Sequence, residues 1–490
     1  MFILNKLTMK QLTISVLLAV FLTACGDFGN INSDPNNPDE ARTDLLMTQA
    51  QKNVGTYIGA TQGTLYVQYF SETQYTGASR YSSTNFNFTG WYVGVLQDLQ
   101  TIIDLNTDDA TRNTSSVLSG GSNNNQIAVA RILKAYFFQM VTDRWGMVPY
   151  SEALKGEANL VPKYDSQSAI YEDLLAELAA AVDRMDGGQG PTGDFIFNGD
   201  MEKWRAFANT LRMRVALRIS DVNATLAESG FTAARDAGHL AENAIFQFLP
   251  NANDENPWFS RYRTRTDYAI SKPMADTMKL YDDIRLTVYA DPAPDADNGD
   301  ETVTMDEIVG MPYGLTQEGA GAITNAAISF PGQAIRGQES GLPIFTMAEI
   351  NLMLAEAVER GWISGNAQDY YEAAIQASWQ QWGVYGDGTD YSNYISQPDI
   401  AYNSAQWREK IGFQKWIALF PQGYEAWAEW RRLDYPELEP AAVPANESGE
   451  IPVRQGYPGT EPELNSENYE AAVSSQGPDK LSTPLWWDMN

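Results

Sequence analysis

The chain of 490 residues contains one histidine, His239, and one cysteine, Cys25. Ser-His-Asp and Cys-His nucleophile systems need an imidazole to accept a proton, and zinc sites draw on His and Cys, so these scarcities argue against both chemistries. His239, in "AGHLAEN", has no second histidine with which to share a metal and reads as a surface or locally bonded residue. A lone cysteine forbids any disulfide within the chain. Positive charge is also short: 33 Lys and Arg face 63 Asp and Glu, a formal net charge of −30. Such a field repels phosphate backbones and argues against nucleic acid as a partner. Beyond the N-terminus no apolar run approaches the roughly eighteen residues that a spanning helix needs. What survives is carboxylate chemistry, which needs only Asp and Glu, or binding without chemistry. Apolar residues at 43%, aromatics at 12% and charged residues at 20% describe a folded protein, either one large composite domain or two to three smaller ones.

The chain opens "MFILNKLTMKQLTISVLLAVFLTACGDFGN". Lys6 and Lys10 make a basic start, Leu12 to Leu22 a short apolar run, and "LTA" places small residues directly before the only cysteine. This is the pattern of a bacterial lipoprotein signal: a leader over 1–24, cleavage before Cys25, and lipid on the new N-terminal cysteine, palmitate among the expected acyl chains. Each buried methylene contributes about 0.8 kcal/mol to membrane attachment, so several chains anchor firmly without a spanning helix. Residues 25–40, rich in Asn, Asp, Pro and Gly, read as a lipidated tether, and 41–490 as the folded body.

Helical periodicity dominates that body. "PIFTMAEINLMLAEAVERGW" sets Ile344, Met347, Ile350, Leu354 and Val358 at steps of three and four, with Thr346 and Glu349 spaced as a capping box and Gly361 placed for a left-handed C-terminal cap. "NAQDYYEAAIQASWQQW" follows with Tyr371, Ala374, Ile375, Ser378 and Trp382, completing a helix hairpin. Ile127 to Met140, Ile170 to Val182 and Trp204 to Ile219 repeat the pattern. The expected fold is all-α, built of tetratricopeptide-like helix hairpins with long irregular loop insertions.

The aromatic-rich stretch "KWIALFPQGYEAWAEWRRLDYP" runs from Lys415 to Pro436. Pro421 lacks an amide proton and Gly423 tolerates a positive φ, so "FPQG" should stop one helix and start another. Trp416, Trp427 and Trp430 lie on stripes and are assigned to the core. Arg431 and Arg432 are expected to pair with the local acids Glu425, Glu429 or Asp434.

Aromatic and polar residues also gather off the periodic helices, in loops 71–92 and 251–271. Flat apolar faces flanked by Asn, Asp, Gln and Arg suit the C–H faces and hydroxyls of sugar rings. Tyr75, Arg80, Tyr81, Trp91, Trp258 and Tyr262 are the candidate ligand contacts, with Trp91 and Tyr92 equally placed to pack at a helix start. "DADNGDETVTMD" imitates a calcium loop through Asp295, Asp297 and Asp306, but Gly299 comes one place early and the last ligand is Asp, so it reads as a solvated acidic turn. No metal or cofactor is expected.

Several stretches together resemble the SusD/RagB family of nutrient-binding outer-membrane lipoproteins, in its SusD-like branch: "NINSDPNNP", "DRWGMVPYSEAL", "MAEINLMLAEA" with "YYEAAI", "QKWIALFPQGYEAWAEWRRLDYP", "IPVRQGYPGTEPELNSENYEAA" and "PLWWD". The resemblance spans nearly the whole chain in the right order. It implies a helical binding protein without catalytic activity at the outer membrane, capturing oligosaccharide or peptide for a SusC-like TonB-dependent transporter. Two other readings remain open from the residues: a lipid-anchored glycoside hydrolase with paired carboxylates, and a helical-repeat adaptor in an envelope complex.

Overall fold

Successive helices wind through the body in the order that the periodicity predicts. The computed structural model describes residues 41–489, so the expected leader, Cys25 and the tether lie outside the described residues. The principal helices are α1 (Thr43–Ile58), α2 (Thr61–Tyr66), α3 (Gln97–Thr107), α4 (Asn123–Trp145), α5 (Gln167–Arg184), α6 (Met201–Arg218), α7 (Ala224–Asp236), α8 (Met347–Glu359), α9 (Ala367–Gln381), α10 (Trp407–Ala418) and α11 (Gly423–Leu433). α1 packs on α3, α3 on α4, α4 on α5, α5 on α6 and α6 on α7, while α8 pairs with α9, rests on α6 and carries α10, which packs on α11. Strands are short and paired in twos: β1 (Phe70–Glu72) with β5 (Tyr268–Ile270), β2 (Val148–Pro149) with β3 (Tyr164–Asp165), and β4 (Ala244–Phe246) with β6 (Leu342–Phe345). The fold is therefore helical with long insertions, as expected. Among the described residues no helix is long and apolar enough to cross a membrane.

Local rules explain several helix ends. Ser166 and Asp200 cap α5 and α6 through their side chains. Gly361, at φ 74°, closes α8 with Trp362 N–H donating to Ala357 O and Gly361 N–H to Val358 O, a Schellman pairing. The box at the start of α8 is only half formed. Thr346 Oγ1 accepts from Glu349 N–H at 3.0 Å, but the Glu349 carboxylate turns inward to Arg214, at 2.7 and 2.9 Å. Gly423 also departs from expectation. It starts α11 with an ordinary φ, and its role is proximity: an added Cβ would meet Thr64 N at 2.1 Å, and one on Gly63 would meet Tyr424 N at 2.4 Å. The α2 and α11 backbones touch because neither residue has a side chain.

The core carries an extended ionic network where α4, α6, α8, α10 and α11 meet. Arg218 reaches Asp143, Glu425 and Glu429; Arg432 chelates Glu356 and binds Glu429 at 2.7 Å; Lys415 joins Glu429 at 2.5 Å and Glu356 at 3.5 Å. Burial alone would raise Glu356 and Glu429, yet Arg432 and its neighbouring cations outweigh it and hold both carboxyls below the ordinary range. Arg432 thus pairs with a local acid as expected and with a distant one besides. Arg431 donates to the carbonyls of Trp427, Asp143 and Val453 and lies 3.6 Å over the Trp427 ring. Trp416 and Trp427 are buried with their indole N–H groups bonded to Val67 O and Pro452 O, whereas Trp430 is only partly buried. The rings of this stretch hold the protein together.

Candidate functional site

The β1–β5 pair positions the site. Its antiparallel register, Phe70 to Ile270 through Glu72 to Tyr268, delivers the loops 73–82 and 263–267 side by side at one end. Thr73 stitches them, its N–H to Asp267 O at 2.8 Å and its hydroxyl to Thr266 O at 2.7 Å. A third segment closes in: Gln317, opening the short helix Gln317–Gly321, accepts from Tyr75 N–H at 2.5 Å, and Asn325 donates to the Thr266 hydroxyl at 2.7 Å. Below them Glu72 is buried and ties its own loop, accepting from Ser79 N–H at 2.8 Å while its N–H donates to Ser79 Oγ at 3.1 Å. Burial pushes the Glu72 carboxyl up to about 7, partly opposed by the Ser79 hydrogen bonds.

Tyr75 stands out on this frame. It is 65% exposed and is held at φ 53°, a left-handed conformation that a non-glycine residue adopts at a cost of order 1–3 kcal/mol when its surroundings impose it. The Arg265 guanidinium lies 4.5 Å from its ring centre and is itself oriented by Asp267, at 2.5 and 3.1 Å. The result is an aromatic ring backed by a fixed cation and flanked by amide and carboxylate groups. Such a group can stack on the C–H face of a sugar and hydrogen-bond its hydroxyls.

The other candidates separate from Tyr75. Trp258 is fully buried, packed 4.7 Å from Phe70 and 6.0 Å from Tyr268 by ring centres; it offers no face to a ligand and is a core residue, correcting the expectation. Asn256 starts that burial by capping the short helix Pro257–Tyr262 and bonding Ile335 O and Ser340 O. Tyr81 is likewise corrected: it is 1% exposed and its hydroxyl accepts from Ala441 N–H at 3.2 Å. Trp91 is half-buried against Tyr57 and Phe137, and Tyr262 donates to Tyr268 O and packs on Phe330. Arg80 bonds Val443 O at 2.7 Å and ties the first loop to the 443 segment. Arg265 and Asp267, which belong to the aromatic and polar loop 251–271, are brought to Tyr75; Gln317 and Asn325 arrive from a segment that carried no signal.

Elsewhere the acidic turn is organised by a residue outside the imitation calcium pattern. The Glu307 carboxylate accepts from Asn298 N–H, Thr304 N–H and the Thr304 hydroxyl, at 2.7–2.9 Å. Among the described residues no group of three or more His, Cys, Asp or Glu is disposed to hold a metal ion. His239 Nδ1 lies 2.8 Å from Leu240 O, a local contact.

Residues 35–458 match the SusD-like family described as starch-binding and associating with the outer membrane. None of the curated protein sequences matches the chain. Among solved structures, a chitin-binding protein is 27% identical, covering 92% of this chain and 100% of its own, with a TM-score of 0.76. A chitin-binding SusD homologue from Flavobacterium johnsoniae is 25% identical, covering 91% and 99%, with a TM-score of 0.74. A SusD homologue from Bacteroides fragilis is 24% identical over 91% and 100%, with a TM-score of 0.78, a likeness of fold.

Proposed function

The chain belongs to the SusD-like family of starch-binding, outer-membrane-associated proteins, and from that premise we propose that it captures oligosaccharide on the Tyr75 platform and delivers it, uncleaved, to a SusC-like TonB-dependent transporter. The observation that carries the reading is the exposed Tyr75 ring, held in a left-handed conformation and backed by Arg265, at the junction of three inserted segments. A glycan is favoured over a peptide because two related structures are described as chitin-binding. The folded body over 41–490 is then the receptor, 1–24 the leader, and lipid on Cys25 with the 25–40 tether its attachment to the outer membrane, on the cell's exterior.

Electrophoresis of the full chain through gels containing chitin-derived, starch-derived and other soluble polysaccharides tests this directly. Retardation by at least one glycan, with no shortening of that glycan on prolonged incubation, is expected. Saturable cleavage supports the paired-carboxylate hydrolase instead, and no retardation by any glycan supports the adaptor. Mass spectrometry of the native N-terminus tests the anchor: an unmodified thiol on Cys25 contradicts it.

A further inference from the structure

A cavity of about 390 Å³, which shares no lining residue with the Tyr75 platform, lies between α3, α4, α5 and the segment 150–155. Its volume falls in the lower part of the roughly 300–1,000 Å³ range of small-molecule sites, enough for about one or two pyranose rings. Its apolar lining is the partly exposed Tyr150, Ala153 and Leu154, backed by the buried Ala135 and Phe138 of α4, with the Tyr150 ring set edge-on to Phe138 at 4.6 Å. The walls are charged but balanced: Arg131, Lys134 and Lys155 against Asp165, Asp173 and Glu177.

Most of those charges are already engaged in building the cavity. Arg131 chelates Glu177 at 2.6 and 2.8 Å, Asp165 accepts from the Ser151 and Tyr150 amides, and Asp173 accepts from the Tyr150 hydroxyl at 2.6 Å. Lys134 differs. Among the described residues no carboxylate lies within ion-pair distance of it, and its ammonium donates to the neutral Gln100 amide oxygen at 2.7 Å, leaving further N–H donors. Burial lowers this amine from its ordinary value, as expected for a cation set in a wall without a direct counter-ion.

We propose that this cavity is a second saccharide subsite, specific for a neutral, polyhydroxylated ring. A neutral ligand follows from the balance of wall charges, because an added anion or cation would leave the cavity with a net charge in a partly desolvated space. Hydroxyl groups, each able to donate and accept, match the spare donors of Lys134 and Lys155 and the free lone pairs of Asp173. The partly exposed Tyr150 ring and Leu154 take the ring's C–H face. The choice of a saccharide rests on the glycan-binding reading above; the cavity's geometry does not.

The test uses the full chain carrying Tyr75→Ala, with the platform disabled, titrated by NMR with glucose, N-acetylglucosamine and their dimers, and with glucuronate and glucosamine as charged comparators. Saturable binding of the neutral sugars is expected. Ala169→Trp, which puts an indole at the cavity mouth from the exposed start of α5, should weaken it at least tenfold. Lys134→Met, which keeps the stem and removes the donor, should do the same, and so covers failure of the tryptophan variant to fold. With Tyr75 intact, Ala169→Trp should leave platform binding unchanged. No neutral sugar binding to the Tyr75→Ala chain, with glycan still bound by the wild type, overturns the subsite alone. Undiminished binding in both folded cavity variants, or preference for a charged comparator, also overturns it. A wild-type chain that binds no glycan overturns the platform reading and this one together.

Discussion

Replacing Arg432 by methionine should destabilise the protein by about 3 kcal/mol. Arg432 is 1% exposed and joins Glu356 through two short hydrogen bonds and Glu429 through another at 2.7 Å. Methionine fills the space of the stem, so the loss is electrostatic. Removing one partner of a buried pair ordinarily costs about 3–5 kcal/mol, since the surviving charge remains desolvated. The low end applies here because neither carboxylate is abandoned. Glu356 keeps Arg360 at 2.9 Å and Lys415 at 3.5 Å, and Glu429 keeps Lys415 at 2.5 Å and Arg218 at 3.2 Å. Adding Glu356→Gln to Arg432→Met removes the excess buried anion and should recover about 1 kcal/mol or more of the loss. Equilibrium unfolding in urea, which does not screen charge, measures both variants. A cost under about 1 kcal/mol for Arg432→Met, or a double variant less stable than the single one, would refute the view that the network is held by mutual compensation.

Three further perturbations test other parts of the account. Glu72 has its carboxyl raised by burial from 4.5 to about 7, so its contribution to stability is complete below pH 4.5 and is lost as pH rises through 7. Glu72→Gln should remove that loss, of order 3 kcal/mol, and unfolding compared at pH 4 and pH 8 should show the variant gaining on the wild type at the higher pH. Gly423→Ala places a methyl against the α2 backbone and should cost about 1–3 kcal/mol by thermal or urea unfolding, with no direct effect at the platform. Trp258→Ala should cost about 3–5 kcal/mol, and a folded Trp258→Phe variant should bind glycan as the wild type does, as suits a ring that reaches no ligand.

The helices were legible because their apolar residues recur at helical spacing on faces that must be buried. Ile170, Leu174, Leu178 and Val182 follow this rule, and all are buried. The rule says less of α4, where Asn125, Gln126, Gln139 and Asp143 are buried beside the apolar residues, so one face does not describe it. Local spacing also misassigned Glu349, which could cap α8 but finds a stronger partner in Arg214, many residues away. In the loops, composition picked out the right kinds of residue without saying which way they turn. Tyr75 and Tyr81 stand in one loop, both with positive φ, yet one ring is exposed and the other lies under Ala441. That difference is set by the β1–β5 pairing and by segments hundreds of residues apart, which no window along the chain contains.

On the Tyr75 platform one exposed ring is set to hold the glycan, while the buried rings hold the fold. Calorimetric titration of the glycan that retards the chain most strongly, into the wild type and a folded Tyr75→Ala variant, measures this. At least a tenfold loss of affinity, about 1.4 kcal/mol, is expected for the variant. Equal affinity for both proteins would contradict it.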